Sequence, residues 1–162
     1  MTNQILFYKL KEYYGAFGNF SKYTVQYKNL VAPTSEHMFQ ALKFYPHNPE
    51  LVQKVLEQPT PKDAANMGRD RSLPLRKDWE QPIENSPHPD VVLTKDLVML
   101  DVVMDKFTRH DDLKSLLLST GNATIVEDSP IDWYWGWGKD HTGQNKLGKI
   151  LMIVREILKN DY

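Results

Sequence analysis

Glu36, Gln40 and Lys43 place a carboxylate, an amide and an amine at i, i+4 and i+7, and on a helix those side chains share one face. Such a face can hold a polar substrate. Glu36 falls in the first turn, where the helix dipole favours a charged carboxylate, which suits a base or a stabiliser of positive charge better than a proton donor. Burial against an aromatic wall would oppose the dipole. His37, Ala41 and Phe44 share the neighbouring face. The competing reading is a solvated polar stripe, and the pattern alone weighs the two about equally.

A second group is cationic: Arg69, Arg71, Arg76 and Lys77, followed by Trp79. Arginine forks suit phosphate or carboxylate, and a flat guanidinium stacks on a ring. The bland alternative is a surface ion-pair cluster with Asp70, Asp78 and Glu80, and for Arg71 and Lys77 it is the better reading. The third group, Ile131 to Gly138, holds three of the four tryptophans (Trp133, Trp135, Trp137) and the carboxylate Asp132. Aromatic walls, one acid and the glycines Gly136 and Gly138 are what a site for a flat polar ring needs. The stretch from Gly138 to Asn145 feeds a helix start and could present backbone N–H groups to a phosphate. Core packing is the expectation for at least one of the tryptophans. The histidines at 37, 47, 88, 110 and 141 lack ligand spacing such as HExxH and read as surface or supporting residues, so no metal is expected.

Elements must position these groups. Residues 1–31 read as short strands and turns, broken at Gly15 and Gly18. Pro33 introduces a helix that Thr34 or Ser35 can cap and that runs to Tyr45, ended by Pro46 and Pro49. Leu51 to Glu57 reads as a short helix stopped by Pro59 and Pro61. Asp63 to Met67 reads as another, closed by Gly68 in a C-cap role. Residues 81–90, with three prolines, read as an exposed loop. Leu97, Leu100, Met104 and Phe107 recur at helical spacing in a helix from Thr94 to Phe107. A short helix at Leu113 to Leu118 and a brief strand at Ala123 to Val126 follow. The last helix runs from Asn145 to about Lys159, with Leu147, Ile150, Leu151, Val154, Ile157 and Leu158 as its core stripe. The expected fold class is mainly α (α+β at most): a single compact helical domain over 1–162 with a few short strands.

Bulk properties narrow the function. At 162 residues the chain is one domain by length, and 41% hydrophobic with 25% charged residues is ordinary for a globular protein. A net charge of −1 argues against a general nucleic-acid or membrane binder, so any nucleic-acid contact would be local. There is no apolar run of the roughly 18 residues that a membrane span needs. The stretch Met1 to Lys11 lacks the features of a signal peptide. The absence of cysteine excludes disulfides and thiolate chemistry and fits a cytoplasmic protein, or a nuclear one in a eukaryote. A monomer is expected.

In order along the chain, these segments resemble the NADAR (YbiA-like) N-glycosidase family. Phe17-Gly18-Asn19-Phe20-Ser21 is similar to its N-terminal motif, and Pro33 through Phe44 to its helix motif. Ala64 through Arg69, with Pro74-Leu75-Arg76 and Asp78-Trp79-Glu80, resembles its arginine segment. Asp132 through Gly136, with Asn145-Lys146-Leu147-Gly148, resembles its C-terminal signature. Lys22, where the family usually has Asn, together with Met38, Trp133 and Trp137, departs from the pattern.

The resemblance implies hydrolysis of a bond between ribose C1 and an exocyclic nitrogen on a flat heterocycle, with no cofactor. Two substrates are implied: ADP-ribosylated guanine, in nucleic acid or as a nucleotide, and the ribosylamino-pyrimidine phosphates of riboflavin synthesis. The bulky tryptophans favour the first. Positive charge builds on the sugar as C1–N breaks, so a carboxylate is needed nearby. Glu36 is the first choice, with Asp132 as its partner or a ligand of a sugar hydroxyl. Lys43 either pairs with phosphate or attacks C1 to form a transient Schiff base. Trp79 and Trp135 would stack on the ring and Arg69 and Arg76 would hold phosphate. Asn19, Phe20, Ser21, Gln40, Trp133, Gly136 and Asn145 complete the implied binding set. The rival from another class is a non-catalytic ADP-ribose or NAD reader.

Overall fold

Small hydroxyl and amide side chains, each followed by proline or serine, decide where the first helices begin. In the computed structural model, which describes residues 3–161, Thr34 caps α1 (Ser35–Ala41) by accepting from His37 N. Asn48 caps α2 (Pro49–Leu56) and Thr60 caps α3 (Pro61–Gly68) in the same way. Pro49 and Pro61, expected as stops, are instead the first residues of α2 and α3, where a missing N–H leaves nothing unsatisfied. After Ala41 the backbone tightens into a 3-10 turn, Leu42–Phe44, which carries Lys43.

The chain forms two compact units. The central unit, Lys22–Lys106, contains α1, α2, α3, the antiparallel pair β2 (Val25–Tyr27) and β3 (Leu30–Ala32), and the start of α4 (Thr94–Arg109). Ala41, Phe44, Leu51, Val52, Val55 and Ala64 make one apolar cluster there, which closes α1 against α2 and α3. His37 is fully enclosed. Its Nε2 donates to Gln58 O at 2.8 Å and its Nδ1 meets Thr34 Oγ1 at 2.8 Å, which ties the start of α1 to the end of α2. Two expectations change in this unit. Gly68 is not a left-handed cap but the last residue inside α3, followed by Arg69 in the right-handed region. On α4, Val98, Met99, Val102 and Val103 are buried together with Leu100, while Leu97 and Met104 are only half-buried. Lys106, also buried, is brought down to about 7 by desolvation.

The terminal unit joins residues up to Ser21 with those from Phe107 onward. β1 (Gln4–Phe7) runs parallel to β4 (Thr124–Glu127), with Phe7 opposite Glu127. Against β4 packs α6 (Lys146–Lys159), which also contacts α5 (Asp111–Ser119). Phe17 stands edge-on to Phe7 and Phe107, at 6.0 and 5.6 Å between ring centres. Buried Arg155 of α6 reaches Thr120 Oγ1 and Ala123 O at 2.9 and 2.8 Å, clamping the turn before β4. The α6 stripe is buried as expected except Ile157, which is exposed. Helices predominate over short two-stranded sheets, as the expected class requires. Among the described residues no helix is long and apolar enough to cross a membrane.

Candidate active site

α1 buries its polar face. Glu36, Gln40 and Lys43 are only 6, 3 and 6% exposed, which rules out the solvated stripe. Helical spacing sets the first contact: Gln40 Nε2 donates to Glu36 Oε1 at 2.7 Å. The other end of that amide, Gln40 Oε1, is buried with no hydrogen-bond partner among the described residues. It faces Gly68 so closely that a Cβ there would lie 2.0 Å from it. A Cβ at 68 would also lie 2.9 Å from Gln40 Cβ, so glycine is what lets α3 approach α1 this closely.

Lys43 sits at the centre of this arrangement. Its Nζ lies 3.4 Å from Gly68 O and 5.8 Å from the ring centres of both Phe39 and Trp79. Those rings are 5.2 Å apart and tilted by 54°. Desolvation, then the Arg71 guanidinium, and more weakly Arg69 and Lys95, bring the Lys43 ammonium down to about 8; Glu36 opposes them. The result is an amine that loses its proton far more readily than an ordinary lysine, held beside a buried carboxylate.

The arginine segment divides. Arg76 is bound on both sides: Nε and Nη2 donate to Asp78 at 2.6 and 2.9 Å, and Nη1 reaches Leu42 O at 3.3 Å. This pair holds the Asp78 carboxyl below its usual range, and Arg76 ties its segment to the turn carrying Lys43 rather than standing free for phosphate. Arg69 is exposed. Arg71, read as a surface ion-pair partner, is exposed as expected, and its Nη1 donates to Gly68 O at 2.9 Å. Asp70 is engaged by Ser72, and Glu80 pairs with Lys95 at 2.7 Å. Trp79 is 3% exposed and packed on Phe39, a wall rather than an open stacking surface.

The remaining expected site residues lie in the terminal unit, where many of their polar atoms have structural work. Ser21 Oγ donates to Ala16 O and Gly18 O at 3.0 and 2.9 Å, closing its own turn. Phe20 is exposed and Asn19 half-buried. Asp132 Oδ1 accepts from Tyr134 N and Trp135 N at 2.9 and 2.8 Å. Trp133 Nε1 donates to Asp140 and Trp137 Nε1 to Asp128, at 3.1 and 2.7 Å. Trp137 also stacks on His141, with ring centres 3.9 Å apart. Trp135, half-buried, meets Tyr134 edge-on at 4.8 Å. Gly136 is buried within the loop: a Cβ there would come within 2.9 Å of Glu127 O. Asn145 clamps β4, with Oδ1 accepting from Glu127 N and Nδ2 donating to Ile125 O, both at 2.9 Å.

The expected phosphate cradle before α6 is corrected. Backbone N–H groups from Gly143 to Leu147 each donate to a carbonyl between Trp133 and Trp137, at 2.8 to 3.0 Å. A phosphate would find these donors occupied.

Sequence reasoning missed Phe39, Lys95 and the roles of Arg71 and Gly68. Lys95 carries no local signal, because only tertiary folding brings its charge to Lys43. Gly68 carried one, a glycine ending a helix, but the reason for it was close approach rather than a left-handed turn.

A helical chain with a buried Glu–Gln–Lys face now has an identifiable class. The NADAR domain family model matches residues 6–159, and this chain belongs to that family. It is similar to the N-glycosidase YbiA of Escherichia coli, 40% identical over 154 residues that cover 95% of this chain and 88% of that one. It is also similar to an N-glycosidase of Nostoc punctiforme, 37% identical over 157 residues that cover 96% and 93%. A chloroplastic riboflavin biosynthesis protein of Zea mays is 37% identical over 171 residues, 97% of this chain but 26% of that protein. The solved NMR structure of E. coli YbiA superposes with a TM-score of 0.83 at 38% identity, covering 98% of this chain and 86% of the other.

Proposed function

We propose that this protein is an N-glycosidase that hydrolyses the bond between ribose C1 and an exocyclic nitrogen of a flat heterocycle, with Lys43 as nucleophile and Glu36 as proton carrier. The observation that carries this reading is the Lys43 amine, brought down to about 8 beside buried Glu36. A lysine kept only for phosphate binding would gain nothing from losing its charge, whereas a nucleophile must. The sugar ring opens at C1, the Lys43 amine adds there, and the exocyclic nitrogen leaves with a proton delivered through Glu36. Water then adds to the C1–Lys43 imine, the sugar departs as an aldehyde that recloses, and Lys43 is restored.

For the substrate we propose ADP-ribosylated guanine, in nucleic acid or as a free nucleotide. Supporting this is exposed Arg69, whose charge is felt at Lys43 and whose fork suits a pyrophosphate. The net charge of −1 suits one modified base better than a long grip on nucleic acid. The second reading, a ribosylamino-pyrimidine phosphate, is favoured by the riboflavin names of relatives in Zea mays and Vibrio vulnificus.

The deciding experiment incubates the purified protein with each substrate and reads products by mass spectrometry, with and without borohydride. Release of ADP-ribose supports the first substrate and release of ribose 5-phosphate the second. Reductive attachment of the sugar to Lys43 supports the covalent route. Binding of either ligand without any product would overturn the enzymatic reading in favour of a non-catalytic ADP-ribose reader.

A further inference from the structure

Gly68 O receives two cations. Arg71 Nη1 lies 2.9 Å from it, while Lys43 Nζ lies 3.4 Å away, at the outer limit of a hydrogen bond. One carbonyl oxygen can accept from both, so Gly68 O brings the Arg71 guanidinium and the Lys43 ammonium side by side, and the guanidinium makes the better bond. We infer that Arg71 is a positioning residue for Lys43: anchored on the Gly68 carbonyl, its guanidinium places a positive charge beside Nζ and raises the share of Lys43 present as free amine. The consequence for turnover rests on the reading of Lys43 as nucleophile; the consequence for Lys43 itself does not.

Other charges act on the same ammonium. Glu36 on α1 favours it, while Arg69 beyond α3 and Lys95 on α4 oppose it more weakly than Arg71 does. The walls are Phe39 and Trp79, which carry no charge. Lys95 is already paired to Glu80 at 2.7 Å. Of the cations, Arg71 is thus the one that both repels the ammonium most and is held at the same carbonyl. The sign follows: removing Arg71 withdraws a repelling charge, which favours the protonated amine.

The test measures the resting protein first. Competitive acetylation with acetic anhydride across pH 6 to 11, read at the Lys43 peptide by mass spectrometry, gives the midpoint at which Lys43 becomes an amine. Wild type is expected near 8. Arg71→Gln is expected to raise the midpoint by about one pH unit. Arg71→Lys, which keeps the charge, holds it near the wild-type value. Lys77→Gln, removing an exposed cation from the same segment, leaves it in place. If Lys43 is the nucleophile, Arg71→Gln also loses about tenfold in kcat at pH 7 and regains it above the new midpoint. An unmoved midpoint in Arg71→Gln, or an equal rise in Arg71→Lys, overturns the inference. A raised midpoint in a protein whose wild type traps no sugar on Lys43 upholds it while removing the nucleophile reading.

Discussion

The cluster around Lys43 and the loop from Ile131 to Asn145 are both dense in aromatic and polar groups, yet they treat those groups in opposite ways. In the loop the polar atoms are consumed by folding. Asp132 accepts two backbone N–H groups, Asp128 and Asp140 each hold an indole, and Asn145 spans two groups of β4. In the α1 cluster, Gln40 Oε1 has no hydrogen-bond partner among the described residues, and Lys43 has lost part of its hold on a proton. Polar density alone therefore does not mark chemistry. What marks it is hydrogen-bonding and charge capacity that folding leaves unspent, because such groups remain able to act on a substrate.

The comparison breaks most visibly at Glu36. Glu36→Gln keeps the shape of the side chain and removes its charge. If the cluster is built for chemistry, kcat falls by about 10²–10⁴-fold while the thermal midpoint changes far less, because the replacement keeps the shape and an oxygen that accepts from Gln40 Nε2. Steady-state kinetics and calorimetry on the same preparation check both halves. Near-wild-type turnover would make the cluster a packing feature.

Next in size is Asn145→Ala, a change in the loop. It removes the side-chain bonds to Glu127 N–H and Ile125 C=O and puts alanine at a φ of 51°. The expected loss is roughly 2–4 kcal/mol of stability, measured by urea denaturation. A loss well under 1 kcal/mol would show that the Asn145 bonds are not what holds the loop to β4.

The same contrast explains what could be read in advance. The α1 cap, the i, i+4 contact from Glu36 to Gln40 and the helix over 94–109 depend on neighbours in sequence, so spacing and capping residues revealed them. Lys43 was legible as a residue, but its burial and its shared carbonyl were not: they depend on Gly68 and Arg71, which α3 brings in from a different stretch. The prolines at 49 and 61 misled because proline both ends helices and starts them, and only the preceding Asn48 and Thr60 side chains tell which. The phosphate cradle expected before α6 misled more deeply. Indoles, an acid and glycines have the same composition whether they face a ligand or one another. The N–H groups expected to cradle phosphate were spent on carbonyls only a few residues away.

Trp137→Phe tests the finest step of the comparison. The substitution deletes one donor, Nε1, whose bond to Asp128 is 2.7 Å long, and keeps an aromatic ring for the stack on His141. Asp128 is half-buried, so its carboxylate regains water when the indole N–H is lost, and the cost is limited to one hydrogen bond to a charged group plus a small loss of buried ring area. About 1 kcal/mol of stability is the expected change, smaller than at Asn145, where two bonds to backbone groups are lost. Urea titrations followed by circular dichroism give the difference without relying on the tryptophan removed. A loss as large as that of Asn145→Ala would mean that the indole–carboxylate bond, rather than the Asn145 clamp, is the contact on which the loop is built.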